Sequence, residues 1–300
     1  ITLLNDHTVC RVIELVLAEK GDPGVPFTWL CFGSEGRREQ TLHTDQDNGI
    51  LFEAKDAAQA ADIRQRLLPI AQQINTHLAA CGFTLCKGNI MAGNPDLCLS
   101  RAEWARRFAA FIREATPENL LASSIYFDLR VVWGDEQGCQ QLRRSVLEQV
   151  ADNRLFQRMM ADNALRHRPP VGRFREFVLE RKGGDKATLD LKIQGLTPFV
   201  DGARLLALAN GVQANNTLER LRQLVSLGVI EPLDGAAYEE AYHFIQQTRM
   251  QQHQLQTREN RPYSNRVDPD QLNHLDRRIL REALRQAQRL QSSLALRYQL

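Results

Sequence analysis

Residues 27–52, FTWLCFGSEGRREQTLHTDQDNGILF, set the strongest constraint on the fold. An apolar run of strand length, 27–32, passes without a spacer into Gly33-Ser34, and a second apolar run ends the stretch at Phe52. A Gly-Ser pair directly after a strand calls for a tight turn, because glycine takes up the required backbone at little steric cost. Side chains alternate across a strand, so an extended 45–52 segment puts Asp45, Asp47, Gly49 and Leu51 on one face. Two carboxylates one residue apart then point the same way.

The surrounding pattern predicts an α/β, more finely α+β, first half. Val9, Val12, Ile13, Leu15 and Val16 space a helix over 8–19, which the Gly21, Pro23, Gly24 and Pro26 loop ends. Ile63, Leu67, Ile70, Ile74 and Leu78 space a second through Pro69, which should kink or divide it, and Gly82 closes it. Residues 83–91 read as a third strand, and Ser100 with Glu103 forms a capping box for a helix that turns Trp104, Phe108 and Phe111 inward. Residues 125–133 fit strand alternation and helical spacing equally well.

Beyond Gln140 the signals are helical apart from a Gly183-Gly184 turn and its flanks. Asn216 and Glu219 open one helix that Gly228 stops, and a longer one carries Ala241, Phe244, Ile245, Thr248, Gln252 and Leu255. Asp268-Pro269 reads as the start of the last, with Leu272, Leu275, Ile279, Ala283, Leu290 and Leu294 on its apolar stripe. The expected architecture is a domain with a small mixed sheet over 1–140, then an all-helical bundle over 141–300. A chain of 300 residues with 43% hydrophobic content is long enough for two such cores.

Charge excludes more than it indicates. Lys and Arg number 38 against 36 Asp and Glu, which gives no global attraction to nucleic acid or anionic lipid. Residues 140–182 carry ten Lys/Arg against five Asp/Glu, which reads as a solvated helix face, so nucleic acid is not an expected partner. No apolar run approaches the ~18–20 residues of a membrane span, and no secretory pattern opens the chain, so a cytoplasmic location without a membrane partner is expected. The six cysteines form no C-x-x-C and are expected as free thiols. An initial Ile1 in place of Met leads us to expect more chain upstream.

The chemistry concentrates in residues 33–48. Transfer of a phosphoryl or nucleotidyl group needs an anchor for a triphosphate and oxygen ligands for its Mg²⁺. Gly33, Ser34, Gly36 and Arg37 fit the anchor; Asp45 and Asp47 fit the ligands, since magnesium is commonly held by one or two carboxylates plus phosphates and waters. His43, two residues before Asp45, fits a hydrogen-bonding role in the loop.

The stretch GSEGRREQTLHTDQDNGILF resembles the signature of the polymerase-beta nucleotidyltransferase superfamily. More closely, the chain resembles bacterial nucleotidyltransferases associated with CBS and cyclic-nucleotide-binding modules, relatives of the PII-protein uridylyltransferases. CKGNIMAGNP (86–95), YFDLRVVWGD (126–135), DLKIQGLTPFVDGARLLAL (190–208) and EEAYHFIQQTRMQQHQL (239–255) carry the resemblance along the chain. It implies a nucleotidyltransferase domain followed by a helical substrate-binding domain, with regulatory CBS or cyclic-nucleotide-binding modules upstream. Gly33 and Ser34 would hold the triphosphate, Asp45 and Asp47 one or two Mg²⁺, and Arg37, Glu39 and Gln40 would shape the loop around the nucleotide. Lys192 is a candidate phosphate contact, with Lys87 and Asn89 as further candidates beside the metal strand.

The implied reaction moves a nucleoside monophosphate from NTP to a hydroxyl, on a regulatory protein that docks against the helical half. Two departures bear on it. The strand FTLCKGNIM lacks the third carboxylate that many superfamily members carry, which leaves Asp128 as the candidate base, against a plain ion pair with Arg130 or a helix-surface charge. Nothing within these residues resembles the His-Asp hydrolase module of the PII enzymes, so only the forward transfer is expected here. The alternative from the same residues is a non-catalytic nucleotide-sensing or interaction module.

Overall fold

A computed structural model describes residues 1–172, 177–179 and 188–300. The chain divides into two compact units, Ile1–Asp152 and Asn153–Leu300. The Gly183-Gly184 turn lies outside the described residues.

The first unit begins with helix α1 (Thr2–Lys20), longer at its N-terminus than its apolar spacing requires. Strand β1 (Phe27–Cys31) leads into a four-residue helix, α2 (Gly33–Gly36), and strand β2 (Asn48–Phe52) returns antiparallel with Cys31 opposite Asn48. Helix α3 (Ala57–Ala80) follows as one uninterrupted element with Pro69 inside it. Strand β3 (Cys98–Ser100) runs parallel to β2 and passes into α4 (Arg101–Arg113), where both halves of the Ser100–Glu103 capping box form. Next come α5 (Pro117–Tyr126), β4 (Arg130–Trp133) antiparallel to β1, and α6 (Gln137–Ala151). The sheet order is β3-β2-β1-β4, a small mixed sheet.

Both faces of that sheet are covered, which is why β1 and β2 are buried at every position. On one side Val12, Ile13 and Val16 of α1 and Ile63, Leu67 and Ile74 of α3 pack on Phe27, Trp29, Ile50 and Phe52. On the other, Phe32 meets Trp104 at 5.7 Å and Tyr126 at 5.1 Å between ring centroids. The Trp104 Nε1–H donates to the Ile50 carbonyl at 2.9 Å, so the indole buries without losing its hydrogen bond.

Several sequence expectations change here. Residues 83–91 form turns in place of a strand: Gly88 and Asn89, at φ +53°, bend the chain, and Thr84 alone bridges, to Asp45. The third strand is β3. Residues 45–47 precede β2, whose ladder starts at Asn48. The ambiguous 125–133 segment is helix end and strand in succession, with Asp128 at the junction. The first unit runs past residue 140 because α6 packs on α4 and β2.

In the second unit α7 (Arg154–Ala164), α9 (Thr217–Ser226), α10 (Pro232–Arg258) and α11 (His274–Tyr298) pack around α8 (Thr197–Ala209), which buries Phe199, Ala203, Leu205 and Leu206. It is not wholly helical: β5 (Leu189–Asp190) pairs antiparallel with β6 (Arg266–Val267), and a π-helical turn, Leu191–Leu196, leads into α8. Asp268-Pro269 starts a short 3-10 turn, Pro269–Gln271, and extended Leu272 interrupts it, so α11 begins after Asn273, whose side chain caps Asp276. Leu275 and Ile279 are accordingly exposed, and the core stripe is Leu280, Ala283, Leu284, Ala287, Leu290 and Leu294. Among the described residues every helix is too short or too polar to cross a membrane, and all six cysteines are free.

Candidate active site

The site forms where β1 ends and β2 begins. Backbone bonds hold the intervening segment on both sides: Phe32 N–H donates to the Asp47 carbonyl at 2.8 Å, Gln46 N–H to Thr84 at 2.8 Å and Asn48 N–H to Ile90 at 3.1 Å. The chain is therefore extended across Asp45–Asp47 without a full ladder. Side chains alternate accordingly: Asp45 is exposed, Asp47 half-buried, Gln46 and Asn48 buried.

The inward face is an amide network centred on Asn75 of α3. Asn75 Nδ2 donates to Gln46 Oε1 at 2.8 Å and to Asn48 Oδ1 at 2.9 Å, while Gln46 Nε2 donates to the Asn75 and Phe83 carbonyls at 3.0 and 3.1 Å. Asn48 Oδ1 also accepts from Ala92 N–H at 2.8 Å, and Asn75 Oδ1 from Gly93 N–H at 2.9 Å. These bonds tie the irregular 83–93 segment to the strand entrance. Buried amides satisfied in this way fix one orientation of the segment, and that orientation turns Asp45 and Asp47 outward.

The outward face meets α2. Gly33 sits at φ +54°, and a Cβ there would lie 3.1 Å from Asp47 Oδ2. A side chain at residue 33 would thus be strained twice, by its backbone and by the carboxylate. The first N–H groups of α2, at Gly33, Ser34 and Glu35, precede any intrahelical acceptor, and the Asp47 carboxylate stands beside them. Gly36 has another duty: its Cβ would fall 1.8 Å from the Asp128 carbonyl oxygen, so it permits close packing of α2 on the α5–β4 junction.

Behind the turn lies Glu35, a buried carboxyl that composition and spacing did not single out. Burial raises it to about 8; Arg130 pulls it down, and the Asp47 and Asp6 charges push it up. Arg130 itself is held in a bidentate pair by Asp6, with N–O distances of 2.8 and 2.9 Å. The half-buried Cys86 thiol neighbours Asp47 and is raised by burial and by that carboxylate.

The loop leaving α2 is stitched rather than open. Arg37 Nε donates to Glu39 at 2.7 Å and its Nη1 to Asp128 Oδ2 at 2.6 Å, with Asp128 fully buried. Asp128 is thus paired with Arg37, not Arg130, and buried in this pair it offers an incoming hydroxyl no access. Gln40 Nε2 reaches Thr44 Oγ1 at 3.4 Å, and His43 Nε2 stands 3.9 Å from Asp45 Oδ1. Lys87 and Asn89 are exposed beyond Cys86. Lys192 lies in the second unit, exposed on the π-helical turn that Asp190 caps.

The structure thus brings Gly33, Ser34, Asp45 and Asp47 to one place, with Arg37, Glu39, Gln40 and Asp128 bracing the loop next to it. Among the described residues no three His, Cys, Asp or Glu side chains form a cation cage. Two carboxylates, one of them beside a tight turn, are instead a donor set that suits Mg²⁺ carried with phosphate oxygens and water. Glu35, Gln46, Asn48 and Asn75 were missed from sequence, although the alternation D-Q-D-N held a signal: amides between carboxylates are expected on the opposite, buried face.

No curated protein matches the chain. Residues 1–118 match the family model described as "Putative nucleotidyltransferase DUF294", and residues 154–298 match "Putative nucleotidyltransferase substrate binding domain". Each match falls within one of the two compact units. The first unit is therefore similar to the DUF294 domain and the second to the substrate-binding domain described with it.

Proposed function

We propose that this chain transfers a nucleoside monophosphate from an NTP to a hydroxyl on a regulatory protein, with Mg²⁺ held by Asp45 and Asp47. The observation that supports the reading is the approach of the Asp47 carboxylate to Gly33, 3.1 Å from where a Cβ would stand, which puts an oxygen donor suited to a metal beside a tight turn. The turn binds triphosphate oxygens through the backbone at Gly33 and Ser34. Arg37, Glu39 and Gln40 hold the loop at its fixed distance from that turn, and Asp128 acts as a positioning residue through Arg37. Bound Mg²⁺ would neutralise charge on the phosphates and acidify the attacking hydroxyl. Catalysis by this chain's own residues is then chiefly alignment. By resemblance to the family, Lys192 is assigned to phosphate contact and the helical unit to acceptor recognition, in a setting of bacterial signalling with CBS or cyclic-nucleotide-binding modules.

One observation favours a second reading, a nucleotide sensor without transfer: the candidate base Asp128 is sealed in an ion pair. Incubating purified protein with α-labelled ATP or UTP, Mg²⁺ and a cell extract separates the two. Label on a protein band, abolished in Asp47→Asn, supports transfer; tight NTP binding with no labelled product supports the sensor.

A further inference from the structure

Arg107 of α4 is not accounted for by the site described above. Its guanidinium carbon lies 5.3 Å from the Tyr126 ring centroid, 5.7 Å from Phe111 and 5.8 Å from Trp104, and one Nη1–H donates to the Asp96 carbonyl. Among the described residues no carboxylate pairs with it, so a half-buried cation stands on an aromatic platform with most of its N–H donors unspent.

Its position follows from the sheet. Residues 45, 47 and 49 share a face, and a Cβ at Gly49 would touch the Phe32 ring at 3.0 Å. Phe32 meets Tyr126 at 5.1 Å, and Arg107 rests on Tyr126. The Asp47 carboxylate and Arg107 therefore belong to the same face. They also belong to the same end: β2 and β3 run parallel with Ile50 opposite Cys98, so Asp96, which anchors Arg107, stands just beyond the edge where Asp47 stands. Asp47 and Arg107 both contribute to the charge surrounding the Tyr126 phenol, consistent with that proximity.

We infer that Arg107 is a phosphate-binding residue of the nucleotide site, its planar fork held by the aromatic rings to meet the phosphate chain opposite the Gly33-Ser34 turn. A guanidinium stacked on rings is pre-oriented and always charged, which suits bidentate contact with phosphate oxygens. The inference rests on the nucleotide-binding reading above.

Calorimetric titration of the whole chain with ATP and UTP, then with the matching diphosphate and monophosphate, all with Mg²⁺, tests it. In Arg107→Gln the triphosphate affinity should fall by ~10-fold or more, and the loss should shrink as phosphates are removed. Arg107→Lys, which keeps charge without the fork, should fall between the two. A wild-type chain that binds NTP while Arg107→Gln binds it equally well overturns the inference and leaves the nucleotide reading standing. An equal loss for all three nucleotides, or an unfolding temperature lowered in both variants with the affinity of the folded fraction unchanged, shows a structural cation and also overturns it. A wild-type chain that binds no NTP overturns both.

Discussion

Residues 45–48 have two faces that do opposite work. Gln46 and Asn48 point inward, are almost wholly buried, and spend their amides on Asn75 and the 83–93 backbone. Asp45 and Asp47 point outward, toward the turn at Gly33 and toward solvent. The inward pair is structural, the outward pair is the one proposed to hold the metal, and neither set could do the other's work: a buried carboxylate needs a cation, whereas an exposed amide brings no charge to a metal. The carboxyl groups nearby repeat the contrast. Asp128 is buried but paired with Arg37, and Glu35 is buried with its proton retained up to about pH 8.

Glu35 gives the largest effect by which this contrast can be broken. Its pKa is raised from 4.5 to about 8 in the folded chain by burial, so between those values the folded state keeps a proton that the unfolded state has released. Stability then falls as pH rises through that window, no more steeply than ~1.4 kcal/mol per pH unit, and levels off above it. Urea unfolding from pH 4.5 to 9 should show this decline in the wild type and a flatter profile in Glu35→Gln. Equal slopes would mean that the carboxyl is solvated.

Removing the hub of the inward face comes next. Asn75→Ala leaves Gln46 Oε1 and the Gly93 N–H without their Asn75 partner and takes one of the two donors from Asn48 Oδ1, which should cost ~2–3 kcal/mol in chemical denaturation. On the outward face, Asp45→Asn should change stability by less than ~0.5 kcal/mol, because the side chain is exposed and only loosely paired with His43. Similar losses in the two variants would erase the distinction between the faces.

The same contrast explains what the sequence made legible. The apolar run 27–32 and the spacing along α1 and α3 read directly, because a strand covered on both faces is apolar throughout and a helix packed on a sheet is apolar along one stripe. The Ser100–Glu103 box and the Asn216 cap are equally local, and both form. Residues 83–91 differ from the expected strand because their conformation is set by bonds to Gln46 and Asn48, far away in sequence, whereas apolar content alone suggests an extended run. The start of α11 was misplaced for a related reason: Asp268-Pro269 is a sound helix signal that the extended Leu272 cancels. At the site, the G-S turn and D-x-D were visible as motifs. The pairing of Asp128 with Arg37, the buried Glu35 and the position of Arg107 were not, since each depends on contacts made by the folded sheet.

On the proposed function, the outward face of 45–48 and the Gly33 turn together bind a metal–nucleotide complex. Titration of ATP and UTP into wild type and Asp47→Asn, with Mg²⁺ and with EDTA, tests it most directly. The account predicts binding that requires Mg²⁺ in the wild type, and an affinity lower by ~10-fold or more with little metal response in Asp47→Asn, which removes a charge at nearly constant volume. Equal affinity and equal response to Mg²⁺ in the two proteins would contradict it.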